Sequence, residues 1–173
     1  MHYRRLRDIP QFPRAGYTVN VSWDDIERHL DRNHEPRIDL EPDYQRGHVW
    51  SQEQQIAYVE YGLMGGESSM VLTTNCPGWM ADFRGPYELV DGLQRVTAVR
   101  QFINDEIPAF GRFYSQFQDK LTLMGPSFQW RVLSLPTRAE VLKLYLLLNA
   151  GGVVHSPTEL ERVKALLAKE GRS

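Results

Sequence analysis

Hydrophobic and polar positions along the chain predict strands and helices in a mixed order. Four runs have the alternation or the continuous apolar character of strands: 17–21, 70–74, 87–90 and 128–135. Five segments have the three- and four-residue apolar spacing of helices: 22–31, 51–64, 92–104, 137–149 and 157–169. These elements follow no regular βαβ period. The pattern therefore predicts an α+β domain with a small mixed sheet flanked by helices.

Local signals predict where the second helix begins and ends. Ser51 is followed three residues later by Gln54, which is a capping-box pattern, and Gly65-Gly66 follows the last apolar turn. Apolar residues at helical spacing predict the buried face of this helix, and these are Ile56, Val59, Leu63 and Met64. We therefore expect a well-defined helix that packs through these four side chains.

The segment 105–127 has no clear helical or strand period. It is rich in aromatic residues, which are Phe110, Phe113, Tyr114 and Phe117. Rings at such spacing are typical of a hydrophobic core or of a lid, and they also suit a platform on which nucleic-acid bases stack. These interpretations stay open at this point.

Composition and charge indicate an ordinary globular domain. Hydrophobic residues make up 42% and charged residues 24% of the 173 positions, and the formal net charge is -2. A protein that coats nucleic acid through charge alone is usually strongly basic. Residues 1–16 nevertheless form a predicted irregular basic arm with Arg4, Arg5, Arg7 and Arg14. This arm is either a solvated tail or a contact to DNA phosphates, and residues 17–173 form the predicted domain.

Cysteine and histidine usage argues against a disulfide framework and against a metal site built from these residues. Cys76 is the single cysteine, and the five histidines show no ligand spacing. Residues 1–13 lack the apolar core of a signal peptide, and no run approaches the roughly 18 apolar residues that span a bilayer. We therefore expect a cytoplasmic protein that has no membrane partner.

The junction of the third strand and third helix, Asp91-Gly92-Leu93-Gln94-Arg95, is the most informative segment. The first N–H groups of a helix have no partner within the helix, and its dipole favours an anion there. Gly92 permits close approach of a phosphate, and the Arg95 guanidinium can pair with phosphate oxygens. Asp91 could hold Mg²⁺ or orient a water. The alternative interpretation is that Asp91 caps the helix, Gly92 makes a turn and Arg95 is a surface residue.

A second segment, Pro42-Asp43-Tyr44-Gln45-Arg46 followed by Val49-Trp50, precedes the helix and strand that lead to this junction. The two segments in this order resemble the ParB/sulfiredoxin-like superfamily over roughly residues 17–160. The nearest likeness is to the N-terminal domain of GmrSD-type modification-dependent restriction proteins. Its motifs read Pro-x-Tyr-Gln-Arg…Val-Trp and Val-Asp-Gly-Gln-Gln-Arg.

This resemblance implies a ParB/sulfiredoxin-like fold that binds a nucleoside triphosphate (NTP) with Mg²⁺ and hydrolyses it. The residues implied in hydrolysis are Asp91, Gln94 and Arg95, and Asp91 is also the implied metal ligand. The residues implied in nucleotide binding are Tyr44, Gln45, Arg46, Gly92, Arg95, Thr97 and Asn149. Arg46 has an equal interpretation as the ion-pair partner of Asp43 or Glu41. His48 and His155 suit loop or packing roles better than the role of a general base.

Two departures from the family pattern leave the reaction open. Leu93 stands where the family has the first glutamine of its pair, so that one polar contact is lost. The same position requires a cysteine in a sulfiredoxin, which argues against that chemistry. No segment carries His-Asn-His nuclease residues, so we do not expect this chain to cut DNA alone.

Two hypotheses therefore remain. The first is an NTP-binding or NTP-hydrolysing domain linked to DNA restriction, anti-restriction or partition. The second is a non-catalytic module that binds DNA or a host or phage protein, as a phage-type regulator or decoy would. A homodimer is also open, because the last two helices carry leucines that could pack on a second copy. These are Leu142, Leu146, Leu160 and Leu167.

Overall fold

The computed structural model describes residues 16–31, 37–45, 47, 49–80, 86–121, 125–149 and 157–170. Within these ranges the strands are β1 Tyr17–Ser22, β2 Ile38–Asp39, β3 Val71–Asn75, β4 Tyr87–Asp91 and β5 Ser127–Leu133. The α-helices are α1 Ile26–Leu30, α2 Gln52–Leu63, α3 Leu93–Ile103, α4 Arg138–Asn149 and α5 Pro157–Glu170. The predicted α+β class is confirmed. The basic arm 1–15 lies outside the described residues.

The strands of the described residues form a mixed sheet in the order β1-β5-β3-β4-β2. β1 is antiparallel to β5, β5 is parallel to β3, β3 is antiparallel to β4, and β4 is parallel to β2. Because β3 and β4 are antiparallel, the end of β4 lies beside the beginning of β3, where Asp91 pairs with Thr73. A register irregularity between Thr73 and Thr74 marks this end of the sheet. The β4–α3 junction therefore sits against the start of β3.

Helices cover both faces of the sheet. Successive strand side chains point to opposite faces, and Leu89 joins one hydrophobic cluster whereas Val90 joins the other. The larger cluster contains Trp23, Phe102 and Trp130 and packs α1, α2 and α3 on the first face. The second cluster packs α4 and α5 on the opposite face. Burial of these aromatic and aliphatic side chains is the main favourable term in folding.

The boundaries of α2 agree with the predicted caps, but its buried face differs from the prediction. Ser51 and Gln54 form the reciprocal capping box, and Gly65 adopts a φ of 88° after the last turn. The buried positions are Gln55, Tyr58, Val59 and Gly62, whereas Met64 is 70% exposed. The prediction for Met64 was therefore wrong. Trp23 packs against Gly62, and this contact turns the 55/58/59/62 side of the helix toward the sheet.

The outer helices α4 and α5 pack on each other and on the sheet. Leu142 is fully buried, and Leu146 and Leu167 are partly buried against the same cluster. Three of the leucines considered for a dimer contact therefore pack inward, and the side chain of Leu160 lies outside the described residues. Among the helices that the structure describes, none combines the length and apolar character needed to cross a lipid bilayer.

Replacing Gly62 with alanine is expected to destabilise the protein. An added Cβ would overlap the Trp23 ring and lie 2.9 Å from Met70 Cε, so the core side chains must shift. Overpacking of this kind costs about 1–3 kcal/mol and outweighs the gain of about 1 kcal/mol in helix propensity. Urea unfolding measures the net loss. Gly47→Ala is the control, since nothing lies within 4 Å of its added Cβ. Equal stability of the two variants would contradict the proposed Trp23 contact.

Candidate functional site

Gly92 connects β4 to α3 in a conformation that other residues adopt with strain. Its φ is 115°, in the left-handed region. An added Cβ would overlap the Leu72 side chain and lie 3.5 Å from Leu72 Cα. Two independent constraints, backbone conformation and close approach to β3, therefore require glycine here.

The N-terminus of α3 has no side-chain cap. Gly92 is the N-cap residue, and the carbonyl of Gly92 accepts the Val96 N–H at 3.0 Å. No acceptor within the described part of the chain is bonded to the N–H groups of Leu93, Gln94 or Arg95. The interpretation of Asp91 as a helix cap is therefore wrong. The first turn offers its donors and the positive end of the helix dipole.

Asp91 instead forms an ion pair with Arg95. Arg95 Nη2 lies 2.5 Å from Asp91 Oδ2, and Arg95 Nη1 donates to the carbonyl of Ser69 at 3.2 Å. The Arg95 side chain is only 16% exposed, so the interpretation as a surface residue is also wrong. The guanidinium therefore joins the end of β4 to the residues that precede β3.

Ser69 is held by a second donor. Its backbone φ is 64°, and the Tyr58 hydroxyl donates to the Ser69 carbonyl at 3.1 Å. Burial raises the pKa of Tyr58 well above its ordinary value, while the positive charge of Arg95 lowers it in part. Tyr58 therefore stays protonated as a donor at neutral pH. These two donors fix the position of the Ser69 carbonyl.

Gln94 joins the junction to the loop that carries the first motif. Its Oε1 accepts the backbone N–H of Val49 at 2.9 Å and of Trp50 at 3.1 Å. Its Nε2 donates to the carbonyl of Gly47 at 3.3 Å. All three bonds are made by an amide that is both donor and acceptor. The two motifs recognised in the sequence are therefore adjacent in the fold, and Gln94 is the residue that links them.

Tyr44 and Gln45 contact the middle of β4. The Tyr44 hydroxyl donates to the Glu88 carboxylate at 2.8 Å and lies 3.2 Å from the Leu89 carbonyl, which also accepts Gln45 Nε2 at 3.1 Å. Tyr44 is completely buried. Burial first, and then the Glu88 carboxylate, raise the pKa of the Tyr44 hydroxyl far above its ordinary value. Tyr44 thus anchors the first motif to β4 through its buried hydroxyl.

Two arginines of the outer helices hold the same turn. Arg138 of α4 pairs with Asp43, lies 3.9 Å from Glu88 and stacks 5.6 Å from the Tyr44 ring centroid. Arg162 of α5 donates to the carbonyls of residues 43, 44 and 45. The helices on the second face of the sheet therefore hold the first motif in place.

The other predicted residues lie elsewhere on the helices or outside the described residues. Thr97 is half-buried on the second turn of α3. Asn149 ends α4, whose core packs on the second face of the sheet, and its Nδ2 donates to the Tyr145 carbonyl at 2.7 Å. Arg46, His48 and His155 lie outside the described residues.

Four residues that organise this region were not singled out in the sequence. Glu88 was detectable, because it is a carboxylate within the otherwise apolar strand Tyr87-Glu88-Leu89-Val90. Ser69 acts through a backbone carbonyl, which no sequence pattern reveals. Arg138 and Arg162 act across about 95 and 117–119 positions of sequence, so that only the fold brings them to the turn.

Met70, the residue that follows Ser69, lines a cleft of about 590 Å³. Its walls also include Asn20 and Gln129, which are cross-strand partners on β1 and β5. Among the described residues no group of three or more histidine, cysteine, aspartate or glutamate side chains could hold a metal ion. A divalent cation here would depend on Asp91 together with ligands supplied by a bound molecule.

Comparisons with known proteins leave the family open. No family model, curated protein or solved structure matches this chain. The likeness to the ParB/sulfiredoxin superfamily therefore remains a prediction that rests on the two motifs.

Gln94→Ala is expected to loosen the loop 47–50 from α3. The change removes three hydrogen bonds at exposed or partly buried positions, each of which contributes roughly 0.5–1.5 kcal/mol. Amide hydrogen exchange of Val49 and Trp50 should accelerate more than exchange in the centre of β3. Gln52→Ala, at an exposed position of α2, is the control. Unchanged exchange at Val49 and Trp50 would show that Gln94 does not hold the loop.

Proposed function

We propose that this chain binds the phosphates of a nucleoside triphosphate at the β4–α3 junction. The observation that carries the proposal is the uncapped N-terminus of α3 beside the nearly buried Arg95 guanidinium. Backbone N–H groups at a helix start bind phosphate oxygens, and arginine adds paired, charge-assisted bonds.

The Asp91–Arg95 ion pair gives this site a closed, neutral form. A triphosphate carries more charge than one carboxylate, so it competes with Asp91 for the Arg95 guanidinium. Exchange of partners would leave the Asp91 carboxylate, whose side chain is 36% exposed, able to contribute an oxygen to Mg²⁺. One carboxylate together with substrate phosphates is a usual ligand set for this ion.

We infer that the rest of the nucleotide would extend from Arg95 past Ser69 to the cleft that Met70 lines. Its volume of about 590 Å³ lies within the range of small-molecule sites, roughly 300–1,000 Å³. Asn20 and Gln129 present amides to it, and such groups pair with the donors and acceptors of a base. These features support a nucleotide over inorganic phosphate.

Hydrolysis is the further step of this proposal, and it would depend on positioning. Phosphoryl transfer requires charge neutralisation and alignment of a water more than covalent help. Asp91 is the candidate to orient that water. Gln94 would act as a positioning residue, because its amide is engaged by the loop 47–50. Leu93 is buried and adds no polar group. From the resemblance of the two motifs to restriction proteins, we propose a role for such an activity in DNA restriction, anti-restriction or partition.

A second candidate is a non-catalytic module that binds DNA or a host or phage protein. The polar groups of Gln94, Arg95 and Tyr44 all have partners inside the protein. An arrangement of this kind also suits a purely structural junction that holds the first motif loop against α3. In that case the fold would serve as a regulator or decoy and would not turn over nucleotide.

Calorimetric titration with each of the four NTPs tests the proposal. Arg95→Ala should weaken binding about 10- to 100-fold, since bonds to charged groups contribute roughly 1.5–3 kcal/mol. Without Mg²⁺, Asp91→Asn should bind more tightly than the wild type, because the competing carboxylate is gone. Arg28→Ala, which removes an exposed arginine on α1, should leave binding unchanged.

Phosphate release measured in parallel separates binding from hydrolysis. Release that is lost in Asp91→Asn would establish an NTPase with Asp91 in its reaction. Binding without release would describe a nucleotide-dependent switch. If the folded wild type bound none of the four NTPs, the non-catalytic module would become the better account.

A further inference from the structure

The connection between α3 and β5 contains a tight turn with an aromatic residue at an unfavourable position. Ala109 and Arg112 form an isolated antiparallel bridge, closed by N–H···O bonds of 2.8 and 3.0 Å. The two residues between them, Phe110 and Gly111, have φ values of 50° and 72°. Positive φ at both central positions is the geometry of a type I′ turn.

Phenylalanine is unfavourable at position 110, the first central position of the turn. The first central residue of such a turn is usually asparagine, aspartate or glycine, because these residues adopt positive φ most readily. Phe110 is held there by Glu60 of α2, whose Oε1 accepts the Phe110 N–H at 2.7 Å. Its ring is 53% exposed, so little burial compensates for the strained backbone. Strain retained at an exposed aromatic residue indicates a binding role.

The Phe110 ring forms one wall of a cavity of about 180 Å³. The other walls are Leu63, Phe102, Tyr114, Phe117 and Leu121, with Asp119 and Lys120 at polar positions. Tyr114 and Phe117 pack edge-on against Phe102, with centroid separations of 5.4 and 6.2 Å. An apolar cavity of roughly 150 Å³ is large enough to take up benzene. This cavity is therefore the right size for one aromatic ring.

We propose that this cavity binds a single aromatic side chain presented by a protein partner. Aromatic rings, methionine and arginine are enriched at protein interfaces, and a pocket that takes one anchor residue is the usual centre of such an interface. Arg112 is exposed on the same turn as Phe110. The proposal is independent of the nucleotide site at Arg95.

The local charge favours a protein over nucleic acid as the partner. Residues 105–121 hold three carboxylates, Asp105, Glu106 and Asp119, against two basic side chains, Arg112 and Lys120. Strands of nucleic acid are bound through a surplus of positive charge along the phosphate backbone. The Lys120 ammonium is already engaged, 4.6 Å from the Tyr114 ring centroid. A near-neutral, aromatic surface suits an aromatic residue of a peptide chain.

Phe110→Asn separates a binding role from a structural one. Asn-Gly is the preferred type I′ sequence, so the variant should melt at the same temperature as the wild type or higher. Binding of N-acetyltryptophanamide, followed by amide chemical shifts of residues 110–121, should nevertheless weaken by about fivefold or more. Phe113→Ala is the matched control, because Phe113 is exposed on the same loop but does not line the cavity.

Four further results test the proposal. N-acetylalaninamide should cause no shifts at these residues. A lower melting temperature for Phe110→Asn with unchanged probe binding would assign Phe110 a packing role and overturn the proposal. Absence of shifts with the tryptophan probe at its solubility limit would also overturn it. Stronger shifts with thymidine than with the tryptophan probe would replace the protein partner by nucleic acid.

Discussion

Close contact between Gly92 and Leu72 is the constraint on which the β4–α3 junction depends. The contact places the end of β4 directly against the start of β3 and turns the chain into α3 within one residue. A side chain at position 92 would push these two strands apart. The uncapped helix start, the Arg95 bridge and the position of the first motif loop all follow from this close approach.

Polar side chains of α3 then join the end of β4, the residues before β3 and the loop 47–50. Arg95 connects Asp91 to the backbone at Ser69, and Gln94 connects α3 to the loop 47–50. Polar networks contribute most to a unique structure when all their members have partners. The same groups can serve nucleotide binding only if a ligand offers better partners than the protein does. Under the proposed function a triphosphate would meet that condition for Arg95, because its charge exceeds that of one carboxylate.

The two proposed sites differ in how their residues are held. At the β4–α3 junction, Arg95 is nearly buried and paired, so binding there requires an exchange of partners. At the 109–112 turn, Phe110 is exposed and its backbone is already strained, so binding requires little rearrangement. A surface that is already in its bound conformation loses little free energy on association. A site whose binding group is paired within the protein changes its contacts when the ligand binds. The two proposals together imply a nucleotide-dependent response and a constant docking surface in one fold.

The sequence alone determined the α+β class, most element boundaries and the location of the strand–glycine–helix junction. These properties depend on hydrophobic periodicity, capping residues and glycine, which act over a few neighbouring positions. Glu88 was also recognisable, as a charge inside an apolar strand. The tertiary structure alone decided that Arg95 is paired with Asp91, that α2 packs through Gly62 and that Arg162 holds the 42–45 turn. Such contacts join residues that are distant in sequence or depend on how a helix rotates against its neighbours, and local pattern carries no information about either.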